Sequence, residues 1–375
     1  MKIVVVQPLL PRYSIAFFNR LVQLYPEISL VVLADIETRD SLNQYRKEDC
    51  LFTVRHLPSK VRSGFIFQRG LLRLLHQENA DRIVFNANPR GLTQLWAMLV
   101  HRIQGKQFTA WGMFHRIGGP RLVSTLFFCL VGRLAERCLT YTRTGASNLV
   151  SLGVPKHKIG IVGTAIDERI PLAERSARTA EELAAFRREQ DLEGKHIVLQ
   201  VVRLSRYKRP ELLIHAAEFL LQQRKDLLFV LIGNGEMREE LEQMVVSRGL
   251  QDAFRFLGAI YDEAALSRWY LSASVFVVPT CIGLSAHHAM SYGVPVVTDD
   301  SLDSQASEFS ILTHGLNCLT YQEGDPKDLA TAIDTLISEP ILRDALRKNT
   351  SLTIRFNSID KKCSNFYSLN HAARH

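Results

Sequence analysis

Apolar residues in the first half of the chain follow two alternating patterns. Short runs rich in Val, Ile and Leu are typical of buried parallel strands, and they alternate with longer stretches whose apolar residues recur every three or four positions, as on one face of a helix. The runs predict strands at residues 2–7, 28–34, 51–56, 82–86, 107–111, 138–142 and 159–163. The intervening stretches predict helices at residues 14–25, 64–78, 91–104, 121–136 and 144–152.

The same alternation begins again after residue 195. Here strands are predicted at residues 196–203, 227–232, 254–257, 275–278 and 294–298. Helices are predicted at residues 210–223, 236–248, 262–272, 284–292, 327–338 and 340–349, with a last helical stretch at 359–373. Each half therefore has the pattern of a doubly wound α/β unit, in which helices cover both faces of a parallel sheet.

The length of the chain agrees with this division, because 375 residues exceed the usual size of a single hydrophobic core. The prediction is an α/β protein of two Rossmann-like domains that face each other across a cleft. The pattern gives four segments: an N-terminal domain at 1–170, a charged, Ala-rich linker at 171–194, a second domain at 195–352, and a C-terminal helix at 353–375. A return of that helix to the first domain is one option.

Composition narrows the functional classes. Hydrophobic residues make up 46% of the chain and charged residues 22%, as in ordinary globular proteins. The six cysteines form no CxxC pair and no His/Cys cluster at zinc spacing, which favours free thiols in a reducing compartment and no metal site. The first ten residues lack the apolar core of a signal peptide, and the longest apolar stretch, 122–135, is shorter than the roughly 20 residues of a membrane span. A cytoplasmic protein is the expectation.

Charge is distributed unequally between the halves. Residues 1–165 contain 22 Lys and Arg against 9 Asp and Glu, a balance of +13, whereas the whole chain has a net charge of +8. A basic first half indicates an anionic partner, either a phosphorylated acceptor or an anionic membrane surface on which the protein would lie peripherally. Nucleic acid is not expected, because the cations are dispersed and no aromatic RNA-binding signature accompanies them. Segment 116–137 combines cations with an apolar block, which fits a membrane-resting helix and an ordinary crossover helix equally.

Two short motifs follow the first two strands of the second half. Arg203 and Lys208 lie in the sequence RLSRYKRP, between a strand and the next helix. A guanidinium, an ammonium and a helix N-terminus together suit a diphosphate, and a solvated basic loop is the alternative. Gly233 and Asn234 belong to a GNGE turn, whose glycines allow a tight turn or the close approach of a ligand. Arg238 stands where a dinucleotide fingerprint needs its third glycine, which argues against a nicotinamide dehydrogenase.

The segment at 279–298, PTCIGLSAHHAMSYGVPVVT, is the most informative. A buried strand is predicted to end at Pro279, a short helix to begin near Gly283, and a further strand to follow Pro295. The N-terminus of that helix would offer free amides to a diphosphate or to sugar hydroxyls. His288, on the same helix, is a candidate to bind hydroxyls, and the alternative for the adjacent pair His287 and His288 is one surface residue and one core residue.

Taken in this order, the motifs resemble the donor-binding half of the GT-B retaining glycosyltransferases, and more narrowly that of glycosyltransferase family 4. The resemblance rests on Arg203 and Lys208, on the GNG turn and on the pattern Pro…Gly-Leu…Ala-Met-x-x-Gly-x-Pro-Val-Val, and it covers residues 197–350. It implies transfer of a glycosyl group from a nucleoside diphosphate sugar with retention of the anomeric configuration. It also implies that Arg203 and Lys208 stabilise the leaving diphosphate in place of a metal ion, so that neither a metal nor another cofactor is expected.

The resemblance also assigns the loop before the short helix. The amides that would cap the phosphates are those of Gly283, Leu284 and Ser285. The family usually has two glutamates separated by seven residues, which contact the donor sugar and the ribose, and this chain has Thr280 and His288 at those positions. His288 matches a branch with the motif Gly-Leu-[Ser/Thr]-Ala-x-His and is assigned to the ribose or the sugar. Glu308 is a candidate for the missing carboxylate, with an exposed glutamate at a helix start as the alternative.

In the first half the resemblance is looser. Family 4 enzymes often have a histidine in the N-terminal domain that contacts the donor sugar, and His115, in the sequence WGMFHR, takes that place. Arg12 and Tyr13 follow the first strand, where acceptor loops lie in the family, and are assigned to the acceptor. The implied acceptor is a glycan or a polyprenyl- or other lipid-linked glycan in the synthesis of bacterial cell-surface polysaccharide or lipopolysaccharide.

Two other functions fit the same features. A sugar-nucleotide epimerase of the GT-B fold would use the same cations at a leaving diphosphate but would need no acceptor. A non-catalytic glycan-assembly protein would have kept the fold after the loss of both glutamates.

Overall fold

The computed structural model describes residues 1–37 and 45–371. The chain divides into two compact units: the first is Met1–Asp167 together with Ser358–His375, and the second is Glu168–Asn357. The strands of the first unit are β1 (Lys2–Leu9), β2 (Ser29–Asp35), β3 (Thr53–His56), β4 (Ser59–Arg62), β5 (Phe65–Gln68), β6 (Arg82–Asn86), β7 (Thr109–Gly112), β8 (Arg137–Thr140) and β9 (Ile159–Ile161). Its first five helices are α1 (Arg12–Leu24), α2 (Leu71–Glu78), α3 (Leu92–Ile103), α4 (Leu122–Leu134) and α5 (Arg143–Ser151).

A parallel sheet forms the centre of the first unit. In its described part, seven strands pair in the order β3-β2-β1-β6-β7-β8-β9. Successive residues of β1 enter different cores, because Val4 and Val6 pack on one face of the sheet and Ile3 and Val5 on the other. A strand that is buried on both faces has an uninterrupted apolar sequence, which is why the Val/Ile runs predicted these strands correctly.

The helix predicted at 64–78 is wrong in its first part. Residues Phe65–Gln68 form β5, which pairs antiparallel with β4. Ser63 and Gly64 connect the two strands with φ angles of 49° and 81°, as in the two-residue turns that suit the twist of a hairpin. The aromatic and β-branched residues of β5 favour a strand over a helix, and α2 begins only at Leu71.

The last helix, α14 (Ile359–His371), packs against α1 in the first unit. The guanidinium of Arg20 donates to both carboxylate oxygens of Asp360, at 2.6 and 2.7 Å. The rings of Tyr25 and Tyr367 stack with their centroids 3.9 Å apart. The predicted helix continued to residue 373, and residues 372–375 lie outside the described part of the chain.

The second unit is also a layered α/β structure. Its strands are β10 (His196–Val201), β11 (Leu227–Ile232), β12 (Phe254–Gly258), β13 (Ala273–Val277), β14 (Val296–Asp299) and β15 (Cys318–Tyr321). Its helices are α6 (Arg169–Ala177), α7 (Ala180–Glu189), α8 (Glu211–Gln223), α9 (Arg238–Ser247), α10 (Glu263–Ser272), α11 (Ser285–Ser291), α12 (Pro326–Ser338) and α13 (Pro340–Phe356). The strands pair in parallel in the order β12-β11-β10-β13-β14-β15, and every residue of β11 is buried. The predicted α/β class with two Rossmann-like halves is confirmed.

Two segments of the second unit differ in detail from the sequence pattern. Residues 171–194, whose charged composition predicts a linker, form most of α6 and all of α7, and both helices pack against α10. The buried ring of Phe186 meets that of Trp269 edge-on, with 5.0 Å between the centroids. Strand β15 was not predicted, because four residues at the end of a sheet are too short to show a periodicity.

Candidate active site

The loops that carry the motifs of the second unit lie at one edge of its sheet. Arg203 and Lys208 follow β10, Gly233 and Asn234 follow β11, and Gly283 follows β13. Strand β10 pairs with both β11 and β13, and the direction of the connections reverses between β10 and β13. Ligands of doubly wound sheets bind at such a reversal, beyond the carboxyl ends of the strands. This edge is therefore the candidate active site.

Lys208 is a buried cation at this edge. It ends the short 3-10 turn Arg206–Lys208, and its Nζ donates a hydrogen bond to the carbonyl oxygen of Cys281. A Cβ atom added to Gly283 would lie 3.6 Å from Nζ. Burial lowers the pKa of Lys208, and the nearby Cys281 and Glu308 oppose that shift. The amine is thus held against the loop between β13 and α11.

Arg203 contrasts with Lys208 in its exposure. It lies two residues beyond β10, and within the described ranges its guanidinium forms no hydrogen bond or ion pair. The neighbouring Arg206 is engaged instead in an ion pair with Glu240 at 3.0 Å. The loop after β10 therefore presents one fixed cation and one that can still reorient toward an anion.

The GNG turn after β11 supports the loop after β10. Gly233 has a φ of +144°, and a Cβ atom there would lie 1.8 Å from the carbonyl oxygen of Val202. A Cβ atom on Gly235 would lie 2.1 Å from the carbonyl oxygen of Leu204. The close backbone approach that the two glycines allow is therefore to the chain's own loop. Asn234 is exposed, and its Oδ1 accepts a hydrogen bond from Arg238 at 2.7 Å.

The loop between β13 and α11 is held by Gln305. Its Oε1 accepts a hydrogen bond from the amide of Ile282 at 2.7 Å, and its Nε2 donates to Thr298 Oγ1 and Asp299 Oδ1, both at 2.8 Å. Three amides that follow Ile282 have no hydrogen-bond acceptor among the residues the structure describes, and they belong to Gly283, Leu284 and Ser285. They lie at the start of α11, so the loop is fixed while its amides remain available as donors.

A buried carboxylate lies beside Thr280, which takes the place of the first motif glutamate. Asp299 is the last residue of β14 and is fully buried. Burial raises the pKa of Asp299, and hydrogen bonds from Gln305 and from the amide of Ser301 oppose that shift. Because these donors belong to the segment that follows β14, Asp299 holds that segment in place beside the site.

Glu263 is a site residue that the sequence analysis missed. It lies in the first turn of α10, and its Oε1 accepts hydrogen bonds from Nε2 of His288 at 2.6 Å and from the hydroxyl of Tyr292 at 2.5 Å. A carboxylate oxygen only accepts here, so Nε2 of His288 carries the hydrogen. The ring of Tyr270 lies 5.0 Å from the imidazole. From sequence, Glu263 is indistinguishable from an ordinary helix-start glutamate after the N-cap Asp262.

Glu308 lies elsewhere at the same edge. It belongs to the 3-10 turn Ser307–Ile311, and its Oε2 accepts a hydrogen bond from the hydroxyl of Ser307 at 3.1 Å. Its charge acts on Lys208 and on Cys281. Glu263 and Glu308 thus have different neighbours: Glu263 holds His288, and Glu308 lies beside Lys208.

His115 lies in the loop after β7 of the first unit and is half-buried. Its Nδ1 is 3.2 Å from the carbonyl oxygen of Met113, which also accepts a hydrogen bond from the Thr140 hydroxyl at 3.1 Å. A carbonyl oxygen cannot donate, so Nδ1 carries the hydrogen and Nε2 is the acceptor of the neutral ring. Burial lowers the pKa of His115, with the hydrogen bond to Met113 opposing, and favours that neutral form.

Arg12 and Tyr13 begin α1, directly after Pro11. Both side chains are exposed, and Pro11 provides no side-chain cap to the helix. The structure places them at the carboxyl end of β1, where the connections in the first sheet reverse between β1 and β6. This is the equivalent, within the first unit, of the β10 edge of the second.

Comparison with known families gives a match in the second unit. Residues 183–353 match the family model of glycosyl transferases, group 1. This group 1 segment contains every predicted site residue of the second unit. It starts within α7 and ends within α13, so it includes the whole six-stranded sheet.

Known relatives agree with this assignment. The chain is similar to a glycosyltransferase of Methanocaldococcus jannaschii, with 28% identity over 50% of this chain and 49% of the relative. It is also similar to the D-inositol 3-phosphate glycosyltransferase of Streptosporangium roseum, with 26% identity over 58% of this chain and 50% of that protein. The matching part of the chain thus spans about half the length of these curated relatives.

A structural relative covers the chain completely. HepE of Anabaena, solved in complex with UDP, superposes with a TM-score of 0.78 over 100% of both chains at 15% identity. At that identity the likeness shows the fold, which is that of the GT-B glycosyltransferases. The same protein has also been solved with UDP-glucose.

Two kinds of feature are absent from the described ranges. No helix in residues 1–37 and 45–371 is both long and apolar enough to cross a membrane. The same residues contain no group of three or more His, Cys, Asp or Glu side chains placed to hold a metal ion.

Proposed function

We propose that this protein transfers a glycosyl group from a nucleoside diphosphate sugar to an acceptor hydroxyl, with retention of the anomeric configuration. The observation that carries the proposal is the buried Lys208, held at the switch point of the group 1 segment next to the donor amides of Gly283, Leu284 and Ser285. A buried ammonium beside free amides suits an anion that loses its own water on binding.

In the proposed reaction the bond between the anomeric carbon and the donor phosphate breaks, and the acceptor oxygen forms the new bond on the same face of the sugar. The acceptor proton passes to the departing phosphate oxygen. Lys208 and Arg203 stabilise the charge that develops on the diphosphate. Because these cations already provide positive charge, we propose that transfer needs no divalent metal.

The nucleoside and the sugar are assigned to the remaining side chains of the edge. His288 accepts a hydrogen bond at Nδ1 from a hydroxyl of the ribose or the sugar, in an orientation fixed by Glu263, which binds the hydrogen on Nε2. Glu308, beside Lys208, supplies a carboxylate for a sugar hydroxyl. Gly233 and Asn234 belong to the turn that supports the diphosphate loop. A uridine nucleotide is the first donor to test, because HepE was solved with UDP.

For the acceptor, we propose a glycan or a polyprenyl- or other lipid-linked glycan of bacterial cell-surface polysaccharide, taken up at the cytoplasmic face of a membrane. Arg12 and Tyr13 are its proposed contacts, and the neutral His115 is proposed to contact the transferred sugar. The basic composition of the first half supports a phosphorylated, lipid-linked acceptor.

A thermal-shift experiment tests the donor site. UDP, GDP, ADP and CMP are added with Mg²⁺ or with EDTA to the wild type, Arg203→Ala and Lys208→Ala. A ligand that binds only the folded protein raises its melting temperature. One diphosphate should raise it equally with and without the metal, and the effect should be lost in Lys208→Ala.

The matched control is Lys225→Ala, which removes an exposed cation just before β11, at the opposite edge of the same sheet. Its response should equal that of the wild type. The absence of a shift with all four nucleotides would favour a non-catalytic assembly protein. Turnover of a sugar nucleotide without an added acceptor, giving an isomer rather than a transfer product, would favour an epimerase.

A further inference from the structure

Two neighbouring helices of the first unit expose an apolar surface. On α4, Leu122, Val123 and Leu126 are exposed by 74%, 69% and 60%, and Leu130 continues the stripe one turn later. On α3, Trp96 and Ile103 are exposed by 58% and 82%. The surface formed by these six side chains is called the α3–α4 face below. Large exposed apolar residues that line up along helices mark an interaction surface.

Both helices lie on the same side of the sheet. α3 connects β6 to β7 and α4 connects β7 to β8, and these three strands are neighbours in the sheet. The inner residues Met98 of α3 and Phe127 and Val131 of α4 enter one hydrophobic core, and the two helices contact each other. Their exposed residues therefore face outward on the same side of the sheet.

The charge around this surface is almost entirely of one sign. Between Asp81 and Asp167 the sequence contains eleven Lys and Arg and a single acidic residue, Glu136. That carboxylate is in an ion pair with Arg82 at 3.0 Å. At the helix ends, Arg121 precedes α4 and Arg133 lies in its last turn, and both are exposed. Arg102 and Lys106, exposed at the end of α3, extend the basic border.

We propose that the α3–α4 face rests on a lipid bilayer with anionic headgroups. The leucines and Trp96 enter the interface, while the arginines at the helix ends reach the lipid phosphates. A second copy of this chain fits less well, because a symmetric interface would bring two basic borders against each other. Membrane contact through the α3–α4 face would bring the protein to a lipid-linked acceptor. Only this link to the acceptor rests on the proposed function.

Vesicle flotation without donor or acceptor tests the proposal. The probes are phosphatidylcholine vesicles and vesicles with about 30% phosphatidylglycerol, at low and high salt. The wild type should float with the anionic vesicles at low salt and at least about tenfold less with neutral ones. The double variant Leu122→Asn/Leu126→Asn should lose this binding. The matched control is Ile341→Asn/Phe356→Asn, which changes two exposed apolar residues of α13 in the second unit and should float like the wild type.

Tryptophan fluorescence places the contact on the molecule. The chain has three tryptophans, and Trp111 and Trp269 are buried. Trp96 should therefore give a blue shift with anionic vesicles and be quenched by brominated lipid, and Trp96→Phe should remove both signals while keeping most of the flotation. If Leu122→Asn/Leu126→Asn does not fold, as judged by its melting curve, Arg121→Gln/Arg133→Gln replaces it, with the same expected loss.

Three results would overturn the proposal. The wild type could remain unbound with both vesicles, the leucine variant could bind as well as the wild type, or sedimentation could show a dimer that the leucine variant dissolves. Because the flotation contains no nucleotide, vesicle binding by a protein that shows no thermal shift with any of the four nucleotides would overturn the proposed function alone. A UDP shift without vesicle binding would overturn only the membrane surface.

Discussion

The first strand of each unit lies where the connections of its sheet reverse, but the chain leaves the two strands differently. After β1 it passes through Leu10 and Pro11 directly into α1, and the first side chains of that helix, Arg12 and Tyr13, are exposed. After β10 it forms a longer loop, residues 202–210, which includes a 3-10 turn and the buried Lys208.

Neighbouring loops also hold the loop after β10 in place. The described contacts of Leu10 and Pro11, after β1, include no equivalent glycine turn or buried lysine. The GNG turn packs against the carbonyl groups of Val202 and Leu204, and Lys208 binds the carbonyl of Cys281. A charge that is held in place before a ligand arrives suits a constant group such as a diphosphate. Exposed side chains at a helix start suit a partner that varies. The proposed donor edge is thus built around a held cation, whereas the proposed acceptor edge presents exposed side chains.

The largest effect should come from Gly233→Ala. The added Cβ atom would lie 1.8 Å from the Val202 oxygen, at a φ of +144° that only glycine adopts readily. We expect a loss of about 3 kcal/mol in the unfolding free energy of the second unit, measured by calorimetry. Gly315→Ala is the control: it has a φ of 73° but no atom within 4 Å of its Cβ position, so its cost should be about 1 kcal/mol. An equal loss of unfolding free energy in the two variants would mean that the GNG turn does not support the loop after β10.

Alkaline pH should weaken donor binding through Lys208. Its pKa is lowered by burial from the usual 10.5, so the ammonium loses its proton at a lower pH than an exposed lysine does. The affinity for the preferred diphosphate, measured by calorimetric titration, should therefore already fall over the range below the usual lysine pKa of 10.5. Lys208→Arg keeps its charge throughout this range and should show a flatter profile. Parallel profiles would mean that Lys208 does not meet the diphosphate.

A smaller effect is expected from Glu263→Gln. The amide keeps the shape of the side chain but weakens the hydrogen bond that orients His288, and nucleotide affinity should fall about fivefold to tenfold. The ¹⁵N shifts of the His288 imidazole should report a mixture of tautomers in place of hydrogen on Nε2 alone. Glu239→Gln, an exposed first-turn glutamate of α9, is the control and should change neither quantity. If the His288 imidazole keeps its hydrogen on Nε2 alone in Glu263→Gln, Glu263 does not orient His288.

The smallest effect on stability should come from Arg12→Ala. The side chain is exposed, so the unfolding free energy should change by less than about 0.5 kcal/mol, and nucleotide affinity should not change. Only the KM for the acceptor should rise. Arg20→Ala, on the same helix, breaks the ion pair with Asp360 and should cost about 1 kcal/mol without changing that KM. A loss of nucleotide affinity in Arg12→Ala would contradict the separation of the two edges.

Much of the fold could be predicted from local patterns. β1 and β11 are buried on both faces, so each is recognisable from a handful of consecutive residues. The hairpin of β4 and β5 was not predicted. Its turn, Ser63 and Gly64, lies at the start of the stretch 64–78, whose apolar spacing also fits a helix. The aromatic and β-branched residues of β5 favour a strand, so the apolar spacing was the misleading signal, and the partner strand β4 was visible only in the fold.

The candidate site was predictable only in part. Arg203 and Lys208 are recognisable by type and position, but no pattern distinguishes the exposed one from the buried one. Glu263 is 25 residues away from His288 in the sequence, and their hydrogen bond depends on how α10 and α11 pack. The glycines of the GNG turn were interpreted as allowing a tight turn and the close approach of a ligand, whereas the structure shows a close approach to the backbone of Val202 and Leu204.

By itself the sequence determined the two α/β halves, the order of the motifs and the likeness to group 1 glycosyltransferases, because buried strands, helix faces and short motifs are encoded by residues near one another in the chain. The tertiary structure alone decided which side chains are held and by what: Lys208 by the Cys281 carbonyl, and His288 by Glu263. It also decided that the exposed residues of α3 and α4 face outward on the same side of the sheet. These outcomes depend on contacts between distant segments, whose geometry follows from how the sheets and helices pack and not from local sequence.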